Sequence, residues 1–180
     1  DDILEIADIT DKDKLAKAVN YMLDSLKYNE YEIRETHEYT QVLPERFYAP
    51  GSHLENRQVA FALKRTDDRL FLSWVMLRSK ASDFDYASIP ELHNQWKKYF
   101  NLNSDGITRR SIMYWAKQYN HEGYETVKKK SIDNALENAL NSPTEYDKAL
   151  ILKQMFKDRY VCVSYDKRGI WYRYKNHKWE

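Results

Sequence analysis

At 180 residues the chain is long enough for one full-sized hydrophobic core or two small ones. Its 29 basic and 28 acidic residues nearly cancel, so bulk charge gives no argument for nucleic-acid or membrane binding. A single cysteine, Cys162, excludes an intramolecular disulfide framework and fits a reducing, intracellular compartment. No apolar run approaches the ~20 residues of a membrane span, and no secretory signal opens the chain.

The balanced charge hides a gradient, because residues 1–13 hold Asp1, Asp2, Glu5, Asp8, Asp11 and Asp13 against Lys12 alone. Fifteen Tyr and five Trp beside only four Gly and four Pro describe an ordered, aromatic-rich and mainly α chain. Leu15, Ala18, Val19, Met22, Leu23 and Leu26 recur at helical spacing after Thr10. Tyr31 to Val42 is ambiguous, and Leu43-Pro44 closes it. Ser52 with Glu55, and Ser88 with Glu91, have capping-box spacing and open two further helices; Pro90 sits in the first turn of the second, where its missing N–H costs least. Between them Thr66-Asp67-Asp68 caps a helix with Leu70, Phe71, Trp74, Val75 and Leu77 as its stripe. Thr108 caps the next, facing its core with Ile112, Trp115, Ala116 and Tyr119. A longer helix follows Gly123, Ser142-Pro143-Thr144 breaks it, and a last helix runs through Phe156.

Only then does the pattern switch to period two. Tyr160 to Ser164 and Ile170 to Tyr174, around Asp166-Lys167-Arg168-Gly169, read as a β-hairpin. The expected organisation is an acidic segment with an amphipathic helix over 1–34, a helical domain over 35–141, and a helix plus hairpin over 142–180. The last looks like the opening of a second domain, in a piece of a longer protein.

Catalytic motifs are absent from the residues. Gly51, Gly106, Gly123 and Gly169 are isolated, so there is no phosphate-cradling Gly-rich loop. His37, His53, His93, His121 and His177 are scattered and read as surface or capping residues, with no zinc spacing. Asp83-Phe84-Asp85 has the spacing of a two-carboxylate Mg²⁺ site, but its flanks, Lys80-Ala81-Ser82 and Tyr86-Ala87-Ser88, read as a loop before a capped helix. No catalytic residue, metal ligand or resident cofactor is assigned. Basic residues form three clusters. Arg109 and Arg110 stand in the first turn of a helix, where cations oppose the macrodipole. Lys128, Lys129 and Lys130 fan around a helix as a solvated face. The hairpin carries Lys167, Arg168, Arg173, Lys175, His177 and Lys178 beside Trp171, Tyr172 and Tyr174, a pattern that pairs cations with phosphate while rings stack on unpaired bases. The alternative is a hairpin that packs its rings inward and keeps its edge soluble with charge.

Three blocks extend this reading: LPERFYAPGSHLENRQVAFALKRTDDRLFLSWVMLRSK from Leu43, GITRRSIMYWAKQYN from Gly106, and TEYDKALILKQMFKDRYVCVSYDKRGIWYRYKNHKWE from Thr144. In this order they resemble the primase-helicase family (poxvirus-type NTPases) of nucleocytoplasmic large DNA viruses, over roughly Glu35 to the C-terminus. The family joins a primase domain to a superfamily 3 helicase that works as a hexamer. The first two blocks are similar to the helical primase C-terminal domain between those engines. The third is similar to the segment that introduces the helicase, through Trp171-Tyr172 and Asn176-His177-Lys178-Trp179. The chain departs from the family at Ala60-Phe61, where relatives carry Gly-Trp, and at the charged turn 166–169. The resemblance implies a non-catalytic connector that couples primase to helicase and contacts single-stranded or fork DNA. It implies other viral replication proteins as partners, self-association in the parent, ATP and Mg²⁺ in the parent's engines, and the host cytoplasm as the site of work. A protein–protein scaffold or collar with no nucleic-acid contact is the rival, with exposed rings such as Trp171 as interface anchors.

Overall fold

The structure, a computed structural model, describes residues 5–100, 106–141, 144–156, 160–164, 170–175 and 178–179, and for residues 138–139, 145–147, 161–164, 171 and 179 the backbone alone. It is mainly α, with a three-stranded antiparallel sheet near the C-terminus, as the switch of periodicity predicts. The chain forms two compact units, Asp1–Val127 and Lys128–Glu180.

The first unit is helical. Helix α1 (Lys12–Asp24) starts where Asp11 Oδ1 accepts from the Lys14 N–H at 2.9 Å, and buries Leu15, Ala18, Val19 and Met22. Helix α2 (Tyr31–Gln41) is the ambiguous stretch. Its buried residues are Ile33, Glu35, Thr36, His37, Tyr39 and Thr40, so the side facing the core is largely polar and hydropathy conceals its period. Helices α3 (His53–Thr66), α4 (Phe71–Arg78), α5 (Ile89–Tyr99) and α6 (Arg109–Tyr119) follow. Central α4 packs against α1, α2, α3 and α5, and α6 packs on α2 and α3.

Thr108 caps α6 as expected, accepting from the Arg110 N–H at 3.2 Å while its own N–H donates to Ser111 Oγ at 3.1 Å. The two expected serine caps do not form. Ser52 (φ −79°, ψ 35°) and Ser88 (φ −79°, ψ −10°) already lie within turns, not in extended backbone. Their hydroxyls turn back and donate to Ala49 O at 2.7 Å and Asp85 O at 2.6 Å. Asp67 does cap, but it caps a single 3₁₀ turn, residues 68–70, ahead of α4.

Trp74 and Trp96 stack at 5.8 Å in the core, with Phe71 and Phe100 around them. Their indole N–H groups must find acceptors there. Trp96 donates to Asp68 Oδ1 at 3.0 Å and Trp74 to Asn56 Oδ1 at 2.9 Å, while Asn56 Nδ2 donates to the Phe47 carbonyl at 2.8 Å. His37 is also internal. Its Nδ1 lies 2.9 Å from Ser73 Oγ and the residue is buried, which corrects its reading as a surface or capping histidine; a hydroxyl on α4 satisfies the ring.

The first turn of α6 joins α2 through charge. Arg109 Nη2 donates to Glu35 Oε1 at 2.7 Å and Nε to Thr36 Oγ1 at 2.9 Å, with Glu32 at 3.8 Å. The Glu35 side chain is 3% exposed. Helix α7 (His121–Asn141) begins against the end of α2, where Asn120 Nδ2 donates to the Val42 carbonyl at 2.8 Å and Asn120 Oδ1 accepts from the Gly123 N–H at 3.0 Å. A Cβ on Gly123 would lie 2.9 Å from Val42 Cβ and 2.6 Å from Asn120 Nδ2, so only glycine fits without movement.

The second unit holds the remainder of α7, helix α8 (Glu145–Phe156) and strands β1 (Tyr160–Ser164), β2 (Ile170–Lys175) and β3 (Lys178–Trp179). Ala135, Leu150 and Gln154 are buried, and the Phe156 and Tyr160 rings meet edge-on at 5.7 Å.

Three consequences are measurable. Arg109→Met removes the guanidinium that meets the buried Glu35 carboxylate and should lower unfolding free energy by about 3 kcal/mol in urea titrations, whereas Arg110→Met should stay within about 0.5 kcal/mol. Gly123→Ala should cost about 1–3 kcal/mol through overpacking. Asp67, through its bond to Arg69, and Asp68, through Lys64, are held below the usual carboxylate value of 3.8. Their folded forms bind protons less readily than the unfolded chain, so this stabilisation is complete above the ordinary carboxylate range and is lost as pH falls through it. Melting temperature should hold down to about pH 4 and fall below it, and Arg69→Met should remove part of that acid sensitivity.

Candidate nucleic-acid interface

The sheet of the second unit orders its side chains by register. Tyr160 pairs with Arg173 and Val161 with Tyr172; beyond a bulge between Cys162 and Ser164, Ser164 pairs with Ile170. On the other side of β2, Tyr174 pairs with Trp179 and Lys175 with Lys178. Directly opposed residues share a face of an antiparallel sheet, and successive residues alternate. One face therefore carries Tyr160, Arg173, Lys175 and Lys178, and the other carries Tyr172 and Tyr174. All six residues are exposed. Arg173 and Lys175 stand two residues, about 7 Å, apart along β2, and Lys178 extends the row onto β3. This places cations where phosphates could be met along one line, beside the ring of Tyr160.

The remaining sequence candidates divide. Arg110 is exposed at the start of α6. Arg109, beside it, turns inward to Glu35 and Thr36, so its guanidinium serves the joint between α2 and α6. Lys167, Arg168 and His177 lie outside the described residues. Trp171 pairs with Cys162 through the backbone. The Asp-x-Asp motif is a capping device: Asp85 Oδ1 accepts from the Ala87 N–H at 2.9 Å, and Phe84 packs edge-on against Tyr86. Among the described residues no group of three or more His, Cys, Asp or Glu is placed to hold a metal ion. No described helix is long and apolar enough to cross a membrane.

A second basic and aromatic surface lies on α6, reaching beyond the clusters that residue type alone marks out. On α6, Arg110, Tyr114 and Lys117 are spaced four and three residues apart and are exposed, Tyr114 to 62%. Such spacing places them on one side of the helix. The i, i+4, i+7 spacing of these three residues is legible in the sequence itself.

Compared with known protein families, the chain matches no family model. It is similar to the protein named "Putative helicase L207/L206" of Acanthamoeba polyphaga mimivirus, with 28% identity over 123 residues. That stretch is 68% of this chain and 12% of the mimivirus protein, so the chain corresponds to a small part of its relative. The likeness is to one segment of a helicase-named protein from a large DNA virus.

Proposed function

We propose that this chain is the connector of a viral replicative primase-helicase: a non-catalytic helical module between the two engines that guides single-stranded DNA. The observation that carries the reading is its similarity to part of a helicase-named mimivirus protein, joined to the order of the three family-like sequence blocks. The row Arg173, Lys175 and Lys178, with exposed tyrosines on both faces of the sheet, supports the DNA contact. Arg110, Tyr114 and Lys117 offer a further surface of the same chemistry. In this reading ATP and Mg²⁺ belong to the parent's engines, and the parent works as a hexamer with other viral replication proteins in the host cytoplasm.

A different observation favours a second reading, a scaffold or collar surface. Leu140 is 83% exposed, and Leu152 and Met155 on α8 are exposed as well; apolar side chains of that size serve as anchors when a partner covers them.

Fluorescence anisotropy with a labelled single strand, run beside light scattering, separates the two. The connector reading expects a dissociation constant of about 1–100 μM at physiological salt, and a slope near −2 in log K against log salt, from ~0.7 per phosphate contact. Joint reversal of Arg173, Lys175 and Lys178 to Glu should abolish that binding, as should reversal of Lys167, Arg168 and Arg173. DNA binding that survives both sets sinks the proposed contact. Self-association without DNA affinity favours the scaffold.

A further inference from the structure

The first unit contains a cavity of about 360 Å³ between α3, α4 and α5, a size within the ~300–1,000 Å³ of small-molecule sites. Its walls include His53, Arg57, Trp74, Arg78, Gln95 and Phe100. Among the described residues that line it there is no carboxylate. His53 and Arg57 reach it from successive turns of α3, four residues apart and therefore on one side of the helix.

Arg78 is the unusual member. Its Nη1 donates to Asn56 Oδ1 at 3.2 Å, its guanidinium carbon lies 5.6 Å from the centre of the Trp74 ring, and its Nε is buried with no acceptor. Burial lowers its pKa, opposed by the charge of Asp83 acting from outside ion-pair range. A guanidinium in a protein remains charged, so a buried N–H on it with no acceptor is costly. Nε is closed off inside the protein, so a ligand in the cavity meets this guanidinium through its terminal nitrogens, Nη1 being already turned to Asn56.

We propose that this cavity is a binding site for a phosphate group. Arg78 donates to a phosphate oxygen through Nη2, Arg57 supplies the second positive charge at the mouth, and His53 and Gln95 donate to the remaining oxygens. Two guanidiniums without an acid between them match a dianionic phosphate better than the single charge of a carboxylate. Trp74 and Phe100 form the apolar wall beneath whatever the phosphate is attached to. None of these residues belongs to the proposed DNA-contacting sheet, so the site stands or falls independently of that reading.

Isothermal titration of the chain with inorganic phosphate, at constant ionic strength against chloride, is the primary test. Saturable one-to-one binding is expected, weakened at least tenfold in Arg57→Ser and in Arg78→Met. Arg57 is exposed, so Arg57→Ser should keep the parent melting temperature and remains informative even if Arg78→Met fails to fold. Tighter binding of a nucleoside triphosphate without metal identifies a free nucleotide as the source. Tighter binding of a 5′-phosphorylated oligonucleotide than of its unphosphorylated twin identifies a strand end. Absence of saturable phosphate binding, or binding undiminished in Arg57→Ser, overturns the assignment.

Discussion

Glu35 is a carboxylate set in the helical core, and taking such a charge out of water costs several kcal/mol unless a cation and hydrogen bonds meet it there. Arg109 meets it from α6, and the same guanidinium holds Thr36, whose hydroxyl donates to the Glu32 carbonyl at 2.6 Å. The neighbouring residue, His37, is satisfied from α4 by Ser73. Helix α2 therefore can sit only where α4 and α6 bring those groups, and a sliding of either would leave a buried polar atom unmet. Apolar packing supplies cohesion in this unit, while the polar joints on α2 select one arrangement.

The same logic divides the basic residues. A cation that answers an internal carboxylate is committed to the fold, and Arg109 is one. Lys64 and Arg69 are partly committed as well, through Asp68, Asp67 and Glu30. Other exposed cations are ordered by a strand or a helix face: register orders Arg173, Lys175 and Lys178, and helical spacing orders Arg110 and Lys117. A contact built on a paired strand also holds its groups at fixed intervals, which a loop of the same composition does not.

How much of this was legible follows from what hydropathy reports. Helices whose buried stripe is apolar, such as α1, α4 and α6, announced themselves, as did the period-two strands. Helix α2 did not, because Glu35, Thr36, His37 and Thr40 occupy positions that periodicity expects to be apolar; only the partners on α4 and α6 make that face a core face. The serine caps failed for a related reason. Spacing located Ser52 and Ser88 correctly at helix starts, but capping depends on the backbone torsion of the cap, which preceding turns control. The arginine pair stands in the first turn of α6, where the helix dipole opposes cations. Its explanation, a buried acid 74 residues away in sequence, is a tertiary fact that local pattern does not hold.

Asn56 holds three side-chain hydrogen bonds at once. One side-chain amide accepts from Trp74 and Arg78 and donates to the Phe47 carbonyl. Aspartate has nearly the same shape and could accept the first two bonds, but it lacks the N–H for the third and would place a full negative charge against the guanidinium. The amide thus anchors an arginine without neutralising it. The difference between an isosteric oxygen and nitrogen at this one position separates a closed internal ion pair from a cavity that keeps its positive potential.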